Sequence, residues 1–240
     1  MNELEKENIR ALKNMENEEI KDKLNEDELR DIIFSNNDEV RKQFRDAFTF
    51  EIEDVIKYIF ISYEAYKKLE NKFKKQARES YIAAFLFNSI HSLIDSVSLL
   101  ISGFFIPSGN LVRQSIESLA MAILISNKKL DYFDKFEKDP SKFQTNQSLS
   151  LIETNQNVFN INKEGWAAFK KIRNFHHMHS HPSGLSLYSF MRKTNIGWVV
   201  KFGADYDPDK KEIYLKEIQG CITIAKYIKN IVEGIEKGIL

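Results

Sequence analysis

The strongest constraint on this fold is the apolar stretch from Tyr81 to Ile106, which Asn88, His91, Asp95 and several serines interrupt. A membrane-spanning helix needs ~20 consecutive, largely apolar residues. This stretch falls well short of that and reads as a buried core helix, with a serine-rich bilayer helix as its rival. Phe85, Ile90, Leu93, Ile94, Val97 and Ile101 recur along it at helical spacing. Pro107, Ser108 and Gly109 then supply turn chemistry, and Asn110 can cap a following helix. That second core helix runs from about Leu111 to Asn127, with Val112, Ile116, Leu119 and Ile123 on one face. Two apolar helices meeting at a turn predict a core hairpin.

Helical spacing continues on both sides of the hairpin. From Asn2 to Phe34, Leu4, Ile9, Leu12, Met15, Ile20, Leu24 and Leu29 form a thin stripe in a charged background. Ser35 to Asp38 is a polar break, after which one long helix is predicted from about Glu39 to Arg78, facing Val40, Phe44, Phe48, Val55, Ile59, Tyr63, Tyr66 and Phe73 inward. Beyond Asp139-Pro140 the polar stretch to Asn162 reads as a surface connection with one short helix. A helix from about Lys163 to Met178 offers Trp166, Phe169, Ile172 and Phe175 to the core, and Pro182 disfavours helical geometry at His181. Trp198-Val199-Val200-Lys201-Phe202 is strand-like, so a small hairpin turning near Thr194 to Gly197 is expected. A turn at Asp205 to Lys211 and a final helix carrying Ile213, Ile218, Ile222, Ile228, Ile231 and Ile235 complete the chain.

The fold class is therefore all-α: a helical bundle around a core helix hairpin, with an N-terminal helical arm and a small β-hairpin before the C-terminal helix. Residues 1–79 are read as the arm and a long helix packing on the core, and residues 80–240 as the core domain. Thirty-five basic and 35 acidic residues cancel, so any binding to nucleic acid must come from a local patch. A single cysteine, Cys221, excludes an intramolecular disulfide and a cysteine-built zinc site and fits a reducing compartment. The first thirty residues alternate Glu and Lys and lack the apolar core of a signal peptide, so the cytoplasm is expected, with no membrane partner.

Four of the five histidines, His176, His177, His179 and His181, follow immediately on Arg173-Asn174. Imidazole exchanges protons near neutral pH, and guanidinium is a permanent fork for phosphate oxygens. Cleaving RNA through its own 2′-hydroxyl needs a proton acceptor, a proton donor and a cation for the charged phosphorane. Arginine and histidine suffice for this without a metal or cofactor. Equally, a cationic cluster near a helix C-terminus can merely complement the macrodipole, each group contributing roughly 0.3 to 1 kcal/mol.

With five residues between Arg173 and His179, the segment resembles the HEPN superfamily of helical-bundle nucleases, whose hallmark is an arginine, often followed by a polar residue such as Asn, and a histidine near a helix end. The preceding helix pair, with Arg113 and Glu117 on its second member, resembles that family's core hairpin. The resemblance spans about Ser80 to Gly184. It implies a metal-independent endoribonuclease acting on RNA as a homodimer, its two motifs facing across one interface, in a toxin or phage-defence setting with an inhibitor or sensor protein as a further partner. It also implies roles: Arg173 on the scissile phosphate, His179 in proton transfer and Asn174 orienting the site, with Arg113, Glu117, His176 and His181 in support. The family's commoner spacing would put the histidine at position 178, which is Met178 here. His177, one turn from Arg173, is the substitute if the helix stays intact.

Two other readings remain open. One is a noncatalytic module of the same scaffold that binds a nucleotide or a protein. The other is a metal protein using His177 and His181, spaced i, i+4, although Pro182 disturbs that spacing. Lys67, Lys68, Lys72, Lys74 and Lys75 around Tyr66 and Phe73 could track phosphates, but a solvated helix face is the simpler reading. Arg113 with Glu117 could equally be an ordinary intrahelical ion pair, and His91 with Asp95 a packing pair.

Overall fold

The structure is a computed structural model that describes residues 26–74, 76–140, 147–155, 157–159, 162–179, 183–194, 197–201 and 203–238. It is all-α in character, with one two-stranded sheet among the described residues. The chain divides into two compact units, Met1–Asn36 and Asn37–Leu240. The first contains α1 (Glu26–Phe34), which opens on Glu26, Asp27 and Glu28 at the positive end of its dipole. The stripe expected from Leu4 to Leu24 lies outside the described residues.

The second unit carries α2 (Asp38–Ala47), α3 (Thr49–Lys72), α4 (Ala77–Ile101), α5 (Phe105–Ser126), α6 (Tyr132–Lys138), α7 (Ser148–Thr154), α8 (Lys163–His177) and α9 (Gly184–Phe190). Strands β1 (Met191–Thr194) and β2 (Gly197–Val200), a 3₁₀ turn at Pro208–Lys210 and α10 (Lys211–Glu236) follow. The strands pair antiparallel with Met191 opposite Val200 and Thr194 opposite Gly197, the expected hairpin.

Helices α4 and α5 pack along their lengths as the core hairpin, with α10 against both and α3 against α10. Helix α4 is long and apolar enough to cross a membrane, yet one of its faces buries Leu86, Ile90, Leu93 and Leu100 in this core. Two of the serines that interrupt its sequence, Ser89 and Ser96, are cross-links to α5. Ser89 Oγ donates to the Ser115 carbonyl at 2.9 Å, Ser115 Oγ donates to the Ser89 carbonyl at 2.7 Å, and Ser96 Oγ lies 3.0 Å from Ser108 Oγ. Small side chains let the helices approach, and reciprocal bonding leaves no hydroxyl stranded.

The turn between these helices is earlier and tighter than expected. Helix α4 ends when Gly103 adopts φ 84°, with its N–H on the Leu100 carbonyl and the Phe104 N–H on the Leu99 carbonyl, a Schellman arrangement that needs a residue tolerant of left-handed backbone. Pro107 sits inside the first turn of α5, where no intrahelical N–H is required, so Ser108 and Gly109 are helical rather than turn residues. At the far end Arg78 donates to the carbonyls of Ile125 and Asn127 at 3.1 and 3.4 Å and lies 4.5 Å over the Phe133 ring, placing a cation at the negative end of α5.

The long helix expected from Glu39 to Arg78 is broken at Phe48, whose backbone leaves helical geometry (φ −137°, ψ 34°). The break lets both Phe44 and Phe48 reach Tyr206 and Tyr214, with ring centroids 4.9 to 6.5 Å apart. Beyond Asp139-Pro140 the described residues hold the one short helix expected, α7, which buries Leu149 and Ile152, and α6 just before that stretch buries Phe133. On α10 the buried stripe is Tyr214, Glu217, Ile218, Cys221, Ile224, Ala225, Ile228 and Val232. Ile213, Ile222, Ile231 and Ile235 are only partly covered.

Candidate functional site

Helix α8 carries the Arg-His segment, and local chemistry fixes both of its ends. Asn162 Oδ1 accepts from the backbone N–H groups of Glu164 and Gly165 at 2.8 and 3.1 Å, a side-chain N-cap. At the C-terminus the ladder tightens to i→i+3 bonding: the N–H of Met178 reaches the Phe175 carbonyl, and that of His179 reaches the His176 carbonyl at 3.1 Å. Ser183 Oγ then donates to the Met178 carbonyl at 2.8 Å. His181 and Pro182 lie outside the described residues.

This ending divides the histidines between two environments. Trp166 and Phe169 are buried, and the same stripe continues through Ile172 to His176 and His179, which are 0% and 3% exposed. Both imidazoles face Glu217 of α10, itself 0% exposed. His176 Nδ1 lies 3.3 Å from Glu217 Oε1, and His179 Nε2 lies 3.9 Å from Glu217 Oε2. Two glycines make room for the rings. A Cβ on Gly109 of α5 would fall 2.5 Å from Cγ and Cδ2 of His179, and one on Gly220 of α10 would fall 3.3 Å from His176 Nε2. The imidazoles stack on each other at 5.4 Å, and the Phe105 ring lies 4.8 Å from that of His179.

Burial decides the protonation of these groups. It pushes His176 down to about 3, with His179 beside it adding to the effect. It pushes His179 down to about 4, partly opposed by the nearby carbonyls of His176 and Phe175. The Glu217 carboxyl is driven well above its ordinary range by burial. Both imidazoles are therefore neutral at pH 7 and burial disfavours charge on Glu217, so their closeness is not an ion pair. Neither nitrogen of His176 or His179, nor either oxygen of Glu217, has a hydrogen-bond partner among the described residues.

Arg173 and His177 occupy the flank of the buried stripe, in line with Trp166, and Asn174 lies beyond them toward solvent. Asn174 is exposed, while Arg173 and His177 are half-buried and, four residues apart, share a helical face. Arg173 Nε is buried with no hydrogen-bond partner among the described residues. Next to this face Lys163, Trp166, Lys170, Lys171 and Asn174 line a cleft closed on its far side by Ile152 and Glu153. Lys170 donates to Glu153.

The remaining sequence candidates stand apart from that cleft. Arg113 Nε donates to Glu117 Oε1 at 2.8 Å along α5, both side chains largely buried. On the lysine-rich face of α3, Lys67 pairs with Glu70 and Lys72 with Glu236, which lowers its pull on phosphate. His91 is exposed rather than packed, lying 3.0 Å from Asp95. Sequence reasoning missed Glu217. The legible signal was a carboxylate in register with the core stripe of α10, three residues after Tyr214 and four before Cys221.

Compared with known proteins, the chain matches no family profile, no curated protein and no solved structure significantly.

Proposed function

We propose that this protein is a metal-independent endoribonuclease of the HEPN kind, acting in the cytoplasm as a homodimer in a toxin or phage-defence role. The observation that carries the reading is the half-buried flank of α8. There an arginine without a carboxylate partner among the described residues stands one turn from His177, next to a cleft lined by Lys163, Lys171 and Asn174, with Lys170 paired to Glu153. A guanidinium without a carboxylate partner, with further cations along the same helix, is a phosphate-binding arrangement. Because α8 stays helical through His177, the proton-moving imidazole in this reading is His177. His179, buried among Gly109, Phe105 and Glu217, is assigned no contact with RNA in this reading.

In the reaction the RNA 2′-oxygen attacks phosphorus and the bond to the 5′-oxygen breaks. One histidine takes the 2′-hydroxyl proton, a second protonates the leaving 5′-oxygen, and Arg173 stabilises the phosphorane charge. Two imidazoles are needed at once, and the homodimer supplies the second as His177 of the partner subunit. Exposed apolar side chains on the core helices, Phe60 at 61%, Phe87 at 47% and Ile94 at 47%, fit an interface with a second copy.

The test is incubation of purified protein with a mixed RNA pool, with and without EDTA, alongside light scattering at micromolar concentration. The expected result is cleavage unaffected by EDTA, products ending in 2′,3′-cyclic phosphate and 5′-hydroxyl, and a mass twice the 28.1 kDa of the chain. Binding without cleavage would favour a noncatalytic RNA-binding module. Cleavage that vanishes with EDTA within the assay would overturn the metal-independent mechanism, and cleavage by a monomer would overturn the composite site.

A further inference from the structure

Six polar atoms converge inside the core where α8, α10 and the start of α5 meet: both ring nitrogens of His176 and His179 and both oxygens of Glu217. Leaving even one buried polar group unsatisfied costs about 1–3 kcal/mol, and native cores rarely carry such groups in clusters. Here they are not scattered. One donor atom from each of the three residues lies within 4.8 Å of the other two. The rings are held in place by glycines on two different helices, Gly109 and Gly220, so the cluster is built rather than left over from loose packing.

The distances select between two ways of satisfying these atoms. A direct hydrogen bond between imidazole and carboxyl runs at about 2.7–3.2 Å with good alignment. The observed separations, 3.3 Å from His176 Nδ1 to Glu217 Oε1 and 3.9 Å from His179 Nε2 to Glu217 Oε2, are longer. Donors sharing one tetrahedral metal at ligand distances of about 2.0–2.2 Å stand roughly 3.3–3.5 Å apart; His176 Nδ1 and Oε1 already do, and His179, which is paired with the other carboxylate oxygen, reaches that spacing by a shift of its ring and of the carboxylate within a cluster whose donors lie within 4.8 Å of one another. A metal would also remove the electrostatic objection to a buried carboxylate: a divalent cation at Glu217 favours the ionised form that burial alone disfavours.

We propose that His176 Nδ1, His179 Nε2 and a Glu217 carboxylate oxygen form an internal site for a divalent first-row transition metal, zinc before others. The two-imidazole, one-carboxylate donor set suits zinc, with iron, cobalt and manganese as weaker or rarer occupants. A solvent molecule completes four-coordination. The site ties the C-terminal end of α8 to α10. Its role is to stabilise that packing, and it takes no part in RNA chemistry. This goes beyond the sequence expectation of no metal, and it uses a different set of residues from the His177 and His181 pair.

The experiment is to refold the full chain from denaturant with zinc or cobalt(II), remove excess metal, and measure bound metal by elemental analysis and the cobalt form by visible absorption. One metal per chain and the visible band of a tetrahedral cobalt site with nitrogen and oxygen ligands are expected. Glu217→Gln, which keeps side-chain shape, should weaken binding by more than the 10–100-fold typical of an outer-shell change. His177→Ala should bind metal like the wild type. Folded wild-type protein that retains no stoichiometric metal and gives no cobalt band overturns the proposal, and so does metal binding that survives Glu217→Gln but is lost in His177→Ala.

Discussion

Replacing Gly109 by alanine puts one methyl group where the His179 ring already is. The new Cβ would stand 2.5 Å from two ring carbons and 2.7 Å from Nδ1, about 1 Å inside ordinary van der Waals contact. The ring has little freedom to retreat, with Phe105 at 4.8 Å, Phe175 at 5.3 Å and His176 at 5.4 Å between centroids. Overpacking of this kind costs about 1–3 kcal/mol, while glycine to alanine within a helix returns about 0.8–1 kcal/mol. Because the obstacle is a boxed ring, the upper end applies and the net loss should be about 2 kcal/mol. At 2–4 °C per kcal/mol for a chain of this size, the midpoint should fall by roughly 4–8 °C. Thermal denaturation followed by circular dichroism measures it, with Gly184→Ala as control, since an added Cβ there meets nothing within 4 Å. In a His179→Ala background the same Gly109→Ala change should become neutral or stabilising. A rise in midpoint for Gly109→Ala alone, or an equal effect in both backgrounds, would refute the placement of His179 in the core.

Two further outcomes follow from the same geometry. In metal-free protein His176 and His179 titrate far below their unfolded value of about 6.5, at about 3 and about 4. Between pH 6.5 and 4.5 the unfolded chain therefore binds up to two protons that the fold refuses, and stability falls as pH falls. Glu217, raised by burial, works in the opposite sense: its contribution is full at pH values below the ordinary carboxylate range and is lost as pH rises, so it offsets part of the histidine effect. The urea-derived stability should fall with pH in that window by less than the ~2.7 kcal/mol per pH unit that two protons would give, and more steeply in Glu217→Gln. A flat profile would mean that the imidazoles are not held neutral. On α5, Arg113→Ala removes the cation 2.8 Å from a largely buried Glu117 and should cost about 1–3 kcal/mol. An unchanged melting midpoint with lost RNA cleavage would instead assign the pair to the functional site.

The core hairpin was legible because α4 and α5 are apolar on a helical period, and even Ser89 and Ser96 in α4 kept that period while serving as cross-links. The break at Phe48 was not legible, because it answers to Tyr206 and Tyr214, more than 150 residues further along the chain. Pro107 read as a turn because proline interrupts most helices, but in a first turn it costs nothing. The histidine cluster was conspicuous, yet composition could not show which ring faces which way. That depends on the stripe from Trp166 and Phe169 continuing through His176 to His179, and on Gly109 leaving space for the last ring. Glu217 was hidden because a carboxylate in an apolar stripe carries no spacing motif of its own, and its partners lie on a helix about forty residues away.

One short segment is divided between two environments: Arg173 and His177 lie on a half-buried flank, where the proposed RNA chemistry is assigned, while His176 and His179 face inward toward Glu217. The most direct test is to measure RNA cleavage and melting midpoint together for His177→Ala and His179→Ala. His177→Ala should lose about 10² to 10³ in rate with its melting midpoint nearly unchanged, as expected for removal of a proton-transfer group. His179→Ala should lower the midpoint by several degrees while the fraction that remains folded cleaves at close to the wild-type rate. If His179→Ala abolishes cleavage in a fully stable protein and His177→Ala is silent, the division between flank and inward histidines is wrong.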